Sequence, residues 1–130
     1  MITAVHTLIY SDDSEATRTF LRDVLRWPFV EDSDSEPGWL IFKTGPSELG
    51  VHPTGGTNHD DRAYQLPLKH QITLMCDDLA ATMAELAARG ATFAGEPEEE
   101  GFGLTVRLHV PGAADLLLYQ PHHNTAFDLE

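Results

Sequence analysis

The sequence repeats itself at an offset of 65 residues, and this internal repeat constrains the fold more than any other feature. Between residues 6 and 52 the offset aligns eight identical residues without a gap. Background usage of about 6% per residue would supply roughly three such identities. A repeat of this length predicts two copies of one small structural module. The identical pairs are Asp12/Asp77, Asp13/Asp78, Ala16/Ala81, Thr17/Thr82, Leu21/Leu86, Glu31/Glu96, Gly38/Gly103 and Pro46/Pro111.

Each copy of the repeat has the pattern of a strand, a helix and three further strands. An apolar segment at residues 5–10, and again at 72–76, is followed by an Asp-Asp pair. A carboxylate in that place can accept the free N–H groups of a helix's first turn. Apolar residues at helical spacing follow the Asp pair in both copies. The later strands are predicted at residues 29–31, 39–44 and 48–52 in the first copy and at 92–94, 104–110 and 115–119 in the second.

The order β-α-β-β-β, found twice, predicts an α+β fold. Neither half carries enough apolar residues to form a core alone, so we expect a single domain over residues 1–130. Its two modules are predicted at residues 1–53 and 68–123, joined by a linker at residues 54–67.

The charge balance excludes several partners. Eight Lys and Arg residues against 21 Asp and Glu residues give a net charge of −13, which would repel a nucleic-acid backbone. Much of this charge lies in residues 31–36 and 96–100, which are predicted as solvated turns.

The lone Cys76 excludes an internal disulfide and a multi-thiolate zinc site, and it is predicted as a small core residue. Without an apolar run near the ~18 residues of a membrane span, or a basic start before an apolar stretch, we expect a cytoplasmic protein with no membrane partner.

Four segments of the chain resemble the vicinal oxygen chelate superfamily, which includes glyoxalase I, extradiol dioxygenases, fosfomycin-resistance enzymes and bleomycin-resistance proteins. The resemblance lies in HTLIYSDD (6–13) and FLRDVL (20–25), and again in CDDL (76–79) and LLLYQP (116–121). It implies two βαβββ modules whose curved mixed sheets enclose a cleft. It also implies a divalent metal in the cleft of many members, held by the first and last strands of each module.

The alternation of side chains along a strand puts His6, His52, Gln71 and Leu117 on the cleft face. The offset of 65 relates His6 to Gln71 and His52 to Leu117, and the resemblance implies that these four are the metal-ligand positions. Two imidazoles and one amide oxygen could hold Zn, Ni, Mn or Fe, so the predicted metal ligands are His6, His52 and Gln71. Leu117 cannot ligate a metal, although the resemblance implies Glu there in active members.

Each of these residues has another interpretation. His6 could be a hydrogen-bonded core histidine, His52 a strand-end residue and Gln71 an amide that orients a ligand. Glu48 lies on the face of His52 and could replace the missing carboxylate, although an exposed strand start is the alternative. A β-bulge could turn His70 into the cleft.

An aromatic pocket is predicted in the same cleft. Trp39 and Phe102 follow glycines at nearly equivalent places in the two copies, which favours them as pocket residues over core residues. The predicted pocket residues are Tyr10, Trp39, Glu48, Thr73, Met75, Phe102, Leu117 and Tyr119.

Two functions agree with these residues. The first is a small-molecule binding protein, similar to bleomycin-resistance proteins, that holds an aromatic or cationic compound in the cleft; the charge of −13 and Leu117 favour it. The alternative is a divalent-metal-dependent lyase, isomerase or dioxygenase, which His6 and His52 favour. The sequence assigns neither a precise reaction nor a catalytic residue.

The resemblance also implies a two-fold homodimer. The tail after Pro121 is predicted to carry dimer contacts, because Phe127 is apolar and follows the last strand. His122 and His123 are predicted as surface or dimer-contact residues.

Overall fold

The computed structural model describes residues 6–32, 38–51, 53–57, 60–68 and 70–129. Its elements confirm the predicted α+β class, with two helices and eight strands in the described ranges. Neither of these helices, each ten residues long, has the length and apolar character needed to cross a bilayer. The elements are α1 (Ser14–Asp23), β1 (Phe29–Glu31), β2 (Leu40–Phe42), β3 (Gly55–Thr57), β4 (Ala63–Gln65), β5 (Thr73–Met75), α2 (Leu79–Ala88), β6 (Phe93–Glu100), β7 (Gly103–Leu108) and β8 (Leu116–Pro121).

The second copy of the repeat forms the predicted β-α-β-β-β unit. Its four strands make one sheet in the order β5-β8-β7-β6, with β5 parallel to β8 and the other pairs antiparallel. The sheet is mixed because α2 carries the chain from β5 across to β6, whereas short turns join β6, β7 and β8.

The first copy is less regular than the sequence predicts. β1 and β2 pair as expected, and Phe29 packs edge-on against Phe42. Residues 6–10 and 48–51, predicted as the first and last strands of this copy, have no regular secondary structure. In the second copy the corresponding strands, β5 and β8, pair with each other. By analogy, residues 6–10 and 48–51 would pair with each other, and neither segment is a strand in the described chain.

The acidic segment at residues 96–100 is part of β6, so its prediction as a turn was wrong. Glu98 lies opposite Thr105 and Glu100 opposite Gly103, after a register shift between Ala94 and Glu98. β6 is the edge of its sheet, and charged side chains on an edge strand oppose pairing with other chains. The same charges that suggested a solvated turn therefore suit an exposed edge.

A short antiparallel hairpin, β3–β4, lies within the segment predicted as a linker, with Gly56 opposite Tyr64. The module boundaries themselves stay a prediction.

Both helices begin where the Asp-Asp pairs predict. Asp13 and Asp78 are the N-caps, and their carboxylates accept hydrogen bonds from the backbone N–H groups of Ala16 and Ala81 at 3.0 Å. The two copies of the repeat therefore begin their helices with the same capping hydrogen bond.

The two helices share one hydrophobic core on one face of the second sheet. Leu79, Leu108 and Val110 are fully buried, and the Arg89 guanidinium donates to the carbonyl oxygen of Val24 across the helices at 3.0 Å. Apolar residues of the first copy therefore pack against strands of the second. The buried cluster consists of Phe20, Leu21, Leu79, Leu86, Ala91, Val106, Leu108, Val110, Leu116 and Leu118.

The start of α1 docks on the turn between β7 and β8. The Asp12 N–H and the Ser11 hydroxyl both donate to the carbonyl oxygen of Gly112 at 2.8 Å, and the Thr17 hydroxyl donates to that of Pro111 at 2.6 Å. These bonds fix the first copy to the second at a polar contact beside the core.

Candidate functional site

The four predicted metal-ligand positions are only partly described by the structure. His6 and Gln71 are exposed, and His52 lies outside the described residues. Leu117 is half-buried opposite Thr73 and has no atom that can ligate a metal. Within the described ranges, no group of three or more His, Cys, Asp or Glu residues could hold a metal ion. His70, the alternative that needed a β-bulge, is also exposed. The described donors do not fit a complete metal site, and the set of His6, His52 and Gln71 stays a prediction.

Tyr119 is the centre of a different cluster, on the face of β8 away from the helices. Leu116 and Leu118 point into the helix-packed core, so the alternation of the strand turns Leu117 and Tyr119 to the opposite face. This agrees with the predicted cleft face. Tyr119 is nevertheless buried, because other side chains cover its ring.

Neighbouring strands extend this face. Thr73 and Met75 of β5 lie opposite Leu117 and Tyr119 in register, and directly opposed residues share a face of the sheet. Met75 is half-buried beside the tyrosine. From here on, the cleft face means the side of this sheet that carries Thr73, Met75, Leu117 and Tyr119. All four are predicted pocket residues.

Two carboxylates lie further across the same face. Thr105 of β7 is paired with Tyr119 on one side and with Glu98 on the other. Two residues along, Gly103 is paired with Pro121 and with Glu100. The face is therefore apolar at β5 and β8 and acidic at the β6 edge.

Phe102 covers one side of Tyr119. It lies in the turn between β6 and β7, and the two rings meet edge to face with centroids 5.4 Å apart. Gly103 makes this approach possible: a Cβ there would lie 3.0 Å from the Tyr119 ring and 2.5 Å from the Gln120 carbonyl oxygen.

His123 covers another side of Tyr119. Its Nε2 lies 3.1 Å from the phenolic oxygen, and the ring centroids are 5.9 Å apart. Its Nδ1 lies 2.8 Å from the carbonyl oxygen of Asn124, which can only accept, so we assign the proton of the neutral ring to Nδ1. Nε2 is then the acceptor for the Tyr119 hydroxyl.

Glu48 comes to this cluster from the first copy of the repeat. Its Oε2 accepts the backbone N–H of Ala126 at 2.6 Å, and its Oε1 lies 3.8 Å from Nε2 of His123. The Glu48 side chain is only 18% exposed. Burial, with a smaller contribution from the negative charge of Glu48, raises the pKa of Tyr119. The phenol therefore stays protonated and keeps its ability to donate.

Two predicted pocket residues lie elsewhere. Trp39 packs under the guanidinium of Arg18 from α1, 5.2 Å from the ring centroid. Tyr10 is 86% exposed and borders a shallow depression of about 510 Å³ with Ser11, Asp12 and Gly112. A second open depression of similar volume lies along α1 and includes Asp13. Phe102 and Tyr119 line neither depression.

Sequence reasoning missed the role of the C-terminal tail. His122 and His123 are exposed, as the sequence predicts, but their contacts were not foreseen: His123 packs on Tyr119, and His122 contacts Glu99 through its imidazole. The tyrosine and His123 are four residues apart, but β8 ends at Pro121, so no regular element predicts their contact. Cys76, in contrast, packs against the core as predicted, and burial raises the pKa of its thiol.

Comparisons with known proteins agree with this architecture. Residues 3–123 match the family described as the glyoxalase/bleomycin resistance protein/dioxygenase superfamily. Comparison with curated proteins gave no match.

Several solved structures are similar in fold. An antibiotic-binding protein, TnmS3 from Streptomyces sp. CB03234, is 21% identical with a TM-score of 0.59, over 92% of this chain and 97% of that one. A member of the same superfamily from Sphaerobacter thermophilus is 20% identical with a TM-score of 0.56, over 92% and 98%. Lactoylglutathione lyase from Agrobacterium tumefaciens is 18% identical with a TM-score of 0.57, over 92% and 94%. At these identities the likeness is one of fold.

Proposed function

Because the chain belongs to the glyoxalase/bleomycin resistance protein/dioxygenase superfamily, we propose that it binds a small aromatic cation on the cleft face around Tyr119. The observation that carries the proposal is the position of Glu48. Its carboxylate is mostly withdrawn from water and lies 3.8 Å from the imidazole of His123, which packs on the buried ring of Tyr119. A carboxylate next to aromatic rings suits a positively charged aromatic ligand better than a neutral or anionic one.

Each part of the cluster has a distinct task in this proposal. The Phe102 and Tyr119 rings supply a surface for stacking and for cation–π attraction. Glu48 neutralises the ligand's charge, and the protonated Tyr119 hydroxyl can donate to an oxygen or nitrogen of the ligand. Met75 and Leu117 supply the apolar wall.

The electrostatic field of the protein supports a cationic ligand. Glu98 and Glu100 lie across the cleft face from Tyr119, and the whole chain carries a net charge of −13. Such a field concentrates cations near the protein and speeds their association at low salt. The fold likeness to an antibiotic-binding protein also supports the binding of a small molecule.

The metal-dependent alternative keeps His6, His52 and Gln71 as its predicted ligands. Since Leu117 offers no ligand atom, we derive no reaction step through a metal. Titration of the wild type and of His6→Ala/His52→Ala with Zn²⁺, Ni²⁺, Mn²⁺ and Fe²⁺ tests this alternative directly. Stoichiometric binding that the double variant loses would favour a metal-dependent lyase, isomerase or dioxygenase.

We also propose that the protein forms a homodimer through the apolar surface left open in the first copy. Leu49 and Val51 are 84% and 94% exposed, and Leu8, Tyr10 and Val30 are exposed as well. Except for Val30, which lies in the paired strand β1, these residues belong to segments that have a strand-like pattern but no strand partner in the described chain. A second copy would supply the missing partner and cover the apolar side chains.

Binding of a defined pair of probes tests the ligand proposal. Phenyltrimethylammonium is an aromatic cation, and tert-butylbenzene is its neutral isostere. We expect the cation to bind more tightly in NMR titrations, and Glu48→Gln to weaken its binding about tenfold, because the substitution removes the charge and keeps the shape.

Glu15→Gln is the matched control for that experiment. It removes one negative charge from exposed α1, which packs on the opposite side of the sheet, so we expect little change in binding. Equal affinity for the two probes, or equal effects of the two substitutions, would refute the ligand proposal.

A further inference from the structure

We propose that the C-terminal segment, residues 122–129, is an autoinhibitory strap that occupies the ligand site and must leave Glu48 before a ligand can bind. This inference rests on the proposed function, because it concerns regulation of the same site. It follows from what the segment contacts: the groups proposed to hold an aromatic cation are already in use by the chain itself.

The strap starts from a fixed point beside the site. The His122 backbone N–H donates to the carbonyl oxygen of Phe102 at 2.8 Å, and the His122 imidazole contacts Glu99 of β6. Both contacts tie the first residue of the segment to the turn that carries Phe102. The segment therefore leaves β8 directly over the aromatic pair.

The next residue takes the place of an aromatic ligand. The His123 ring lies against Tyr119 and its Nε2 accepts the phenolic hydroxyl, so both the ring face and the donor are engaged. A planar cation that stacked on Tyr119 from this side would have to displace the imidazole.

Three residues further on, Ala126 of the strap occupies the position where the charged group of the ligand would bind. The Ala126 N–H is bound to Glu48 Oε2, while His123 lies near Oε1. An ammonium group would compete for the same two oxygens. A backbone N–H carries only a partial positive charge, so a full cation is the stronger partner for the carboxylate.

The end of the strap is weakly held, which makes release feasible. Leu129 is 76% exposed and Phe127 is 40% exposed, so the partly buried Phe127 ring supplies most of the apolar contact that holds the end of the segment. Beyond Asn124, the Ala126 N–H donates to Glu48 and the Leu129 N–H donates to the Ala126 carbonyl oxygen in a turn. A segment held by a few polar contacts and one partly exposed ring opens at a lower free-energy cost than the buried core does.

The first test measures how firmly the strap is held on Glu48 in the absence of a ligand. Hydrogen exchange of the Ala126 amide, followed by NMR, reports directly on its bond to Glu48. We expect Glu48→Ala to speed this exchange at least tenfold and Glu15→Ala to leave it unchanged. The amides of α2 serve as the internal control for folding, and unchanged exchange at Ala126 with α2 intact would overturn the proposal.

The second test asks whether the strap competes with a ligand. His123→Ala/Ala126→Pro removes the covering ring and the donating N–H but leaves Glu48, Phe102 and Tyr119 in place. We expect it to bind phenyltrimethylammonium about tenfold more tightly than the wild type, the factor that corresponds to one lost competing hydrogen bond to a charged group. The matched control, Ala126→Gly, keeps the N–H and should bind as the wild type does.

The outcomes separate the strap from the ligand site. Binding that depends on Glu48 but is no tighter in the double variant overturns the strap and leaves the ligand proposal standing. Failure of the cation to bind either protein overturns both. Tighter binding in the double variant, together with faster Ala126 exchange in the wild type when the cation is added, supports the strap.

Discussion

Glu48 and Tyr119, which belong to different copies of the internal repeat, both lie against His123, and the carboxylate adds to the effect of burial in raising the pKa of the phenol. The pairing joins the irregular end of the first copy to the last strand of the second. Because only the first copy supplies the acid and only the second supplies the ring, the two copies have unequal parts in the site.

Removal of the charge at residue 48 should lower the pKa of Tyr119. In Glu48→Gln the electrostatic contribution is lost, but burial, the larger cause, remains, so the pKa should fall part of the way toward the ordinary tyrosine value. Ultraviolet titration of tyrosinate, with Tyr119→Phe subtracted to remove the other tyrosines, measures this change. An unchanged pKa of Tyr119 would show that Glu48 is too far from the phenol, or too well solvated, to affect its titration.

The same raised pKa predicts a loss of stability in alkali. The folded state binds the phenolic proton more tightly than the unfolded state, so its contribution to stability is complete below the ordinary tyrosine pKa of about 10 and declines as the pH rises through the folded value. Urea unfolding between pH 8 and pH 11 should show a steeper decline for the wild type than for Tyr119→Phe. Parallel curves for the two proteins would contradict the prediction.

Gly103→Ala should destabilise the protein by about 2–3 kcal/mol, because the new methyl group meets backbone that cannot move aside easily. Its Cβ would lie 2.5 Å from the Gln120 carbonyl oxygen. Gly101→Ala is the control, since nothing lies within 4 Å of a Cβ there. Urea denaturation of both variants measures the difference, and equal midpoints would refute the close approach.

Gly112→Ala should loosen the contact between the two copies. A Cβ at this glycine would lie 2.6 Å from the Asp13 carbonyl oxygen, and the φ of +80° adds backbone strain. Gly45→Ala has a similar φ of +87° but open space around the Cβ, so it measures the strain alone. We expect a loss of about 1–2 kcal/mol for Gly45→Ala and about 3 kcal/mol or more for Gly112→Ala. Thermal unfolding measures both losses of stability. Equal losses for Gly112→Ala and Gly45→Ala would mean that the positive φ, and not the close contact, causes the whole effect.

Leu49→Lys/Val51→Lys should convert the proposed homodimer to a monomer, because two buried interface positions would then carry charge. Leu68→Lys, at an exposed apolar position next to the linker, is the control. Sedimentation equilibrium over a range of concentrations measures the change. A wild type that is monomeric at high concentration would dispose of the dimer.

The second copy of the repeat was predictable from the sequence because its order is set by nearby residues. The Asp78 cap starts α2, the alternation of Leu116, Leu117 and Leu118 orients β8, and β7 follows β6 through a short turn. These signals are local or lie within one module, where hydrophobic periodicity is informative.

The rest was not predictable because it depends on distant partners. The apolar pattern of residues 48–51 predicts a strand, but a strand also needs a paired edge, which the described chain does not provide. The bond from Ala126 to Glu48 joins an exposed tail to an irregular segment, and no spacing in the sequence connects them. For residues 96–100 the error was the reverse: a turn was predicted where the structure has a strand. Their negative charge favoured a turn, but an edge strand such as β6 tolerates charged side chains.

Because α1 and α2 pack on one sheet, each copy of the repeat covers apolar side chains of the other. Separated by a cut in the linker, the N-terminal piece would lose the surface that buries Phe20 and Leu21, and the C-terminal piece would expose the apolar side chains they had covered. Neither fragment should therefore fold on its own.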